Sequence, residues 1–474
     1  MNKLEEGSTE VETLRKKYIG DKDFYKMVLV LVIPMMIQKG ITNFVSLLDN
    51  VMVGKLGTEQ IAGVAIANQL VFVFNLCVFG AISGVGIFTA QYYGTRDIDG
   101  VRSTLQLKII ITTILTVIAL VFFGTHGGSL IRLYLLGDTT CGDLEAAYQY
   151  GKEYLFVIII GFLPFSLSQC YSSTLRECGE TVMPMIASVV AVVTNLGLNC
   201  LLIFGLCGAP QLGAKGAAIA TVVSRFVELF VTFLWIAWHQ KKLPFMQGVI
   251  SNIHISRKLV GKVMLKGTPL MLNETIWAAA QACINQFYST RGMEVVTAIN
   301  ITSTISNLFF VVYFSLGESI AIIVGQYLGM DDMEKARDVD RKLIFFSVVS
   351  CFAIGVLLVL LAPVFPRFYQ TEKEVKQIAK SLIMVAGIFM PVYAFEHATY
   401  FTIRSGGRTF ITFLFDSIFA CCVNMPVIYV MCHNTDMPIV PLYAVCQTIE
   451  FIKCTVGGIL VKKGVWLRNI VNQP

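Results

Sequence analysis

The chain has 474 residues, of which 55% are hydrophobic and 14% charged, with a mean hydropathy of +0.69. Soluble domains do not carry that balance, so the composition excludes a water-soluble globular protein and predicts an all-α polytopic membrane protein. The net charge of +6 is explained below by loop topology and gives no reason to expect a nucleic-acid partner.

Hydrophobic runs of about 20 residues or more are long enough to cross ~30 Å of hydrocarbon as helices. In chain order they fall at 27–50, 61–92, 104–123, 153–175, 181–204, 212–238, 264–288, 297–327, 340–362, 378–402, 409–432 and 438–463. That makes twelve predicted spans, six in each half. The expected organisation is a tail over 1–26, an N-lobe over 27–238, a linker over 239–263, a C-lobe over 264–463 and a tail over 464–474. The first 26 residues are charged and show no apolar h-region, so no cleavable signal peptide is read there.

With the N-terminus on the cytoplasmic side, 25 of the 37 Lys and Arg residues fall on inner segments, among them Lys108, and 9 on outer ones. The positive-inside rule therefore predicts a multi-pass protein of the plasma membrane with both termini cytoplasmic. The longest internal connection has about 25 residues, too few for a folded catalytic domain. The chain has 5 histidines and neither HExxH nor GxSxG, which argues against an intramembrane enzyme. Its 13 cysteines lack CxxC spacing and read as small apolar residues within helices.

A second pattern is written over the first. Pro34 through Gly94 aligns without a gap on Pro269 through Gly329 at an offset of 235, with 13 of 61 positions identical. The identities include Pro34/Pro269, Gly57/Gly292 and the Gln-Tyr-x-Gly endings at Gln91 and Gln326. The turns Thr174-Leu-Arg176 to Thr181 and Thr402-Ile-Arg404 to Thr409 repeat as well, and are expected to be glycine-permitted cytoplasmic turns with an arginine at the lipid headgroups. Six spans per half is an even number. Both halves then enter the membrane in the same sense and can be related only by a pseudo-two-fold axis along its normal.

Polar residues inside spans are costly and so mark candidate sites. Asp49 stands near the outer end of the first span, either as an interfacial residue or as an acid that takes a cation or proton. Asn195 and Asn199 are four apart on one face of the fifth span. With Thr221 they could complete an oxygen-rich pocket around Asp49 suited to sodium or a relayed proton; interhelical hydrogen bonding is their alternative role. Where the first half has Asp49, the second has Ile284, and where the first has Lys39, the second has Glu274. The second half carries Glu274, Glu318 and Glu396 as candidate ion or substrate carboxylates, and Lys39 is a candidate cleft charge or a residue paired within its own lobe. Arg225 with Glu228, and Glu450 with Lys453, read as neutralised i,i+3 pairs.

The run from Pro34 through Asp49 to Gly57, the endings at Gln91 and Gln326, the Leu-Arg-x-x-Gly turn at Arg176 and the pair Asn195/Asn199 together resemble the multidrug and toxic compound extrusion (MATE) transporters over nearly the whole chain. The resemblance implies two six-helix bundles around a V-shaped cleft and a cation-coupled antiporter, with no cofactor beyond the coupling ion, sodium or proton. It implies small organic cations or drugs as partners, in a monomer bathed in membrane lipid. Asp49, Asn195, Asn199 and Thr221 match the N-lobe ion site of that family, where some relatives have Asp at the Asn199 position. Sodium there would sit at Asp49, Asn195 and Asn199. The acids that sodium-driven relatives carry on spans seven and ten fall here at Trp277 and near Tyr393, so Glu274 and Glu396 are each displaced by one turn. A flippase for a lipid-linked glycan or peptide, of the same broad superfamily, is the alternative.

Overall fold

The computed structural model describes residues 17–53, 56–135, 143–249, 251, 253, 255–369 and 371–472. Twelve long helices run through them: α1 (Lys22–Val53), α2 (Thr58–Gly94), α3 (Ile98–Leu135), α4 (Leu144–Glu177), α5 (Val182–Phe204), α6 (Gly213–Trp238), α7 (Arg257–Ser289), α8 (Met293–Gly329), α9 (Met333–Leu361), α10 (Lys373–Ser405), α11 (Thr409–Asn434) and α12 (Ile439–Lys462). Each predicted span has its helix, and most helices run past their hydrophobic run at both ends. The 37 residues of α2 make about 55 Å of helix, well beyond ~30 Å of hydrocarbon. Eleven of the twelve contain an 18-residue stretch apolar enough to qualify as a span. The exception, α7, carries Lys266, Asn273, Glu274, Gln281, Asn285 and Gln286 along its length.

Helix ends follow local chemistry. Asp143 caps α4 by accepting from the backbone N–H groups of Glu145 and Ala146 at 3.0 Å each, and Asp332 caps α9 by accepting from that of Lys335 at 3.1 Å. Proline lacks the N–H of the regular ladder and crowds the preceding turn. Just ahead of Pro426, α11 widens into π-helix over Leu414–Ile418 and Ala420–Asn424. Just ahead of Pro164, α4 tightens into a 3-10 turn at Ile159–Gly161.

The sequence repeat is visible as repeated backbone geometry. Gly57 and Gly292 have φ of 123° and 117°, Gly179 and Gly407 of 87° and 70°, and even the non-glycine turn residues Arg96 and Asp331, again 235 apart, share φ of 60° and 63°. Each of those left-handed turns is closed by the same kind of bond, from the N–H of Asp97 to the carbonyl of Tyr92 at 3.0 Å and from Asp332 to Tyr327 at 3.3 Å.

The chain separates into two compact units, one of Ile37–Thr89 with Ile98–Met271 and one of Met1–Met36, Ala90–Asp97 and Leu272–Pro474. They differ from the sequence halves at α1, α2 and α7, each of which changes unit partway along. The breaks in α1 and α7, after Met36 and after Met271, are 235 apart and follow Pro34 and Pro269 by two residues. Residues counted from sequence as a linker belong to the N-terminal unit, where Arg102 donates to the Pro244 carbonyl and Gln106 to that of Val249, both at 3.0 Å. The tail after 463 is likewise packed, with Trp466 fully buried in the core formed by Val28, Leu316, Ile320 and Leu343.

Within the C-terminal unit the two Gln-Tyr-x-Gly endings meet reciprocally. A Cβ at Gly94 would collide with the carbonyl oxygen of Gln326, and a Cβ at Gly329 with that of Gln91. Gln91 also donates to the carbonyls of Ser405 and Arg468 and accepts from the N–H of Ile470. The repeat thus keeps its glycines because two copies of the motif pack backbone to backbone. Gly94→Ala and Gly329→Ala are each expected to lose a few kcal/mol, on the scale of overpacking a filled core, and to lower the thermal midpoint of the purified protein. Gly124→Ala, where an added methyl meets nothing within 4 Å, should be neutral or gain up to ~1 kcal/mol from helix propensity.

Two sequence expectations are corrected by burial. Lys108, counted as an inner-loop charge, is fully buried in α3 and donates to Ser173 (2.9 Å), Thr174 (3.1 Å) and Glu177 (2.5 Å) of α4. Arg404, expected at the headgroups, is 6% exposed and lies over the Phe401 ring at 5.3 Å. Glu177 of α4 for Lys108, and the charged neighbour Glu274 of α7 for Arg404, make burial of the charge tolerable.

Candidate ion site and charge network

In the N-terminal unit α1 brings Asp49 against α5 and α6. Asn199 Nδ2 donates to Asp49 Oδ1 at 2.6 Å. Asn195, one turn earlier on the same face of α5, fits best with its amide nitrogen toward Asp49, donating to the two carboxylate oxygens at 3.1 and 3.2 Å while its oxygen accepts from Thr221 Oγ1 at 3.2 Å. The four residues singled out in the sequence are therefore one cluster on three helices. Asn199 is fully buried and its Oδ1 accepts no hydrogen bond. A half-buried carboxylate, an orphaned amide oxygen and a hydroxyl within one cluster make a set of hard oxygen ligands.

Sequence reasoning missed what surrounds this cluster. Tyr154 of α4 donates to Asn68 of α2 at 3.1 Å, with Asp49 as its charged neighbour, and Arg225 acts electrostatically on Asp49. Arg225 pairs with Glu228 at 3.0 Å, the i,i+3 pair read from sequence. Glu228 also accepts from Ser188 (3.0 Å), Ser188 from Gln38 (2.7 Å), and Gln38 from Arg176 (3.5 Å). A continuous polar chain thus runs inside the unit from the repeated turn at Arg176 to the neighbour of Asp49. Lys39 lies on α1 in this unit and is half-buried.

In the C-terminal unit the predicted carboxylates divide into two sets. Glu274 has Arg404, Asp416 and Glu318 as charged neighbours. Glu396 is held instead by Lys453 at 2.8 Å, and the same ammonium lies 3.5 Å from Asp416 and 3.4 Å from Glu450. Lys453 and Glu450 are more than the self-neutralising pair read from the helix spacing, because they tie α12 to α10 and α11. Asp416 links the two sets, and Asn273 fastens it to α7 by donating to its Oδ2 at 3.0 Å and to Tyr400 Oη at 3.3 Å. Asp416 was missed although it stands in mid-span, where the rule that singled out Asp49 applies equally. Phe74 and Tyr313 belong to the core: Phe74 stacks on Phe162 at 4.0 Å and Tyr313 packs on His397 at 4.5 Å.

Among the described residues no group of three or more His, Cys, Asp and Glu is arranged to hold a resident metal.

Comparison with known proteins agrees with this reading of the fold. The MatE family model matches twice, at residues 34–201 and 269–430, and the two matches begin at the repeated prolines. The chain is 24% identical over 462 residues to a probable multidrug resistance protein NorM of Thermotoga maritima, with 97% of each chain covered. It is 24% identical over 441 residues to the probable multidrug resistance protein YoeA of Bacillus subtilis, covering 92% of this chain and 93% of that one. Among solved structures, a MATE protein in complex with MaL6 superposes with a TM-score of 0.82 at 20% identity, covering 95% of this chain and 98% of that one. The outward-facing conformation of a multidrug resistance MATE family transporter of the MOP superfamily does so with 0.81 at 20% identity, covering 95% and 97%. The twelve-helix duplicated architecture and the two family matches together establish that the chain is a multi-pass membrane transporter, not an enzyme, and belongs to the MatE family.

Proposed function

We propose that the protein is a secondary active efflux transporter that exchanges sodium ions or protons for amphipathic, often cationic, organic compounds by alternating access. The observation that carries this reading is the Asp49 carboxylate held by Asn199 and Asn195 beside Thr221. An acid in poorly hydrated surroundings favours being neutralised, by a cation that uses the free oxygens or by a proton. Asp49 sits on α1, whose course changes unit near Pro34. Neutralising it alters what holds α1 to α5, and the bend of α1 is the element through which ion entry biases the conformation. The names of the NorM and YoeA relatives support multidrug substrates, and the cytoplasmic excess of Lys and Arg supports an orientation with both termini inside.

Reconstitution into vesicles tests this directly. Uptake or release of a fluorescent organic cation is followed under an imposed sodium gradient, an imposed proton gradient, or neither. Gradient-driven movement of the dye with one of the two ions is the expected result. Absence of driven transport for every cation tried would turn the assignment toward a flippase for a lipid-linked glycan or peptide.

A further inference from the structure

A cavity of about 170 Å³ lies inside the C-terminal unit, among α7, α8, α10, α11 and α12. Asn424 and Glu450 line it together with the polar side chains of Gln281, Asn285 and Thr302, and Ile284, Leu382 and Ile428 add apolar surface. Asn424 is 6% exposed, and its Nδ2 donates to Glu450 Oε1 at 2.9 Å. That bond sets the amide's orientation and leaves Asn424 Oδ1 accepting no hydrogen bond. Glu450 Oε2 accepts none either, its contact with Lys453 at 3.4 Å being an ion pair without hydrogen-bond alignment. A buried acceptor left so loses the hydration it would have in water and gains nothing in return. Two of them together on a cavity rim call for a ligand that donates.

Charge points the same way. Lys453, 4% exposed, is the shared partner of Glu396, Asp416 and Glu450. One ammonium faces three carboxylates, so the network is short of positive charge, which is expensive in a buried site. The ammonium itself occupies the central place among the carboxylates that a metal ion would take. The backbone is remodelled at the same level: Asn424 ends the second π-helical stretch of α11, and α12 is interrupted at Ile449, immediately before Glu450. Such π segments occur frequently at functional sites.

We propose that Asn424 and Glu450 form a subsite for the alkylammonium group of an organic cation, with Lys453 acting as a tethered cation that keeps metal ions off the carboxylates behind it. An ammonium brings three donors and one positive charge, which matches the two free acceptors and the missing charge together. Ile284, Leu382 and Ile428 then hold the carbon skeleton. The cavity is smaller than the roughly 300–1,000 Å³ of drug-sized pockets, so it receives a small amine or the charged end of a larger molecule. Its part in transport rests on the efflux reading above; its ligand chemistry does not.

Calorimetric titration of benzylammonium chloride into the purified full-length protein, without any gradient, tests the subsite alone. Saturable binding is expected, weakened about tenfold or more by Glu450→Gln, the equivalent of one lost charge-assisted hydrogen bond, and similarly by Asn424→Leu. Benzyl alcohol should not bind, and sodium chloride at matched ionic strength should not compete. Glu450→Gln preserves shape, and its thermal midpoint reports that it folds even if Asn424→Leu does not. No saturable binding, binding unchanged in Glu450→Gln, or displacement by sodium would each overturn the proposal. A transport failure in vesicles would leave it standing, because binding is read without transport.

Discussion

Replacing Asp49 by Asn is expected to bring ion-driven efflux to the level of protein-free vesicles. Asp49 is the only carboxylate among the four clustered residues, and the amide has nearly its shape. What is lost is one negative charge and with it the reason for a cation or proton to enter. A charge-assisted interaction of ~3 kcal/mol corresponds to about 100-fold in an equilibrium constant, and driven transport should fall by at least that factor. The helix contacts do not depend on the charge, so the thermal midpoint should move little. Downhill exchange of the dye without any ion gradient should persist, since the substitution removes coupling and leaves the rest of the pathway intact. Driven efflux that survives Asp49→Asn at wild-type rates would remove this cluster from the mechanism.

The second large effect concerns stability. Lys453→Met takes away the ammonium shared by Glu396, Asp416 and Glu450 and leaves one buried and two partly buried carboxylates facing one another. Breaking a buried ion pair by removing one partner costs ~3–5 kcal/mol, and here one partner serves three. A sharply lowered thermal midpoint, measured on the purified protein, is the expected outcome. Adding Glu396→Gln to Lys453→Met should recover part of the loss, because one of the stranded charges is removed. The two effects should therefore be strongly non-additive, as for residues of one network. Simple additivity would mean that the ammonium and Glu396 do not depend on each other.

The site was legible in proportion to how local its signals are. Asn195 and Asn199 share a helix face by spacing alone, and Asp49 stands out because a carboxylate in hydrocarbon is costly wherever it lies. The same arguments applied to Asp416 and were not carried to it. Lys453 shows the opposite failure. Its i,i+3 spacing to Glu450 satisfied a local rule, and that made its stronger bond, to Glu396 on another helix, invisible. Arg404 was assigned to the headgroups and Lys108 to an inner segment by their place near span ends, whereas acids and hydroxyls on neighbouring helices draw them inward.

The sequence by itself determined twelve membrane helices, their division into two copies and the residues at which the copies differ. Those properties follow from the hydrophobic length a bilayer demands and from backbone positions, such as Gly57 and Gly292, that tolerate few residues. Only the tertiary structure decided which polar groups meet, where α1, α2 and α7 change unit, and that the repeated Gly94 and Gly329 exist for one reciprocal backbone contact. A buried charge or a missing methyl has its cost and its partner set by atoms hundreds of residues away in the chain, and no local pattern carries that information.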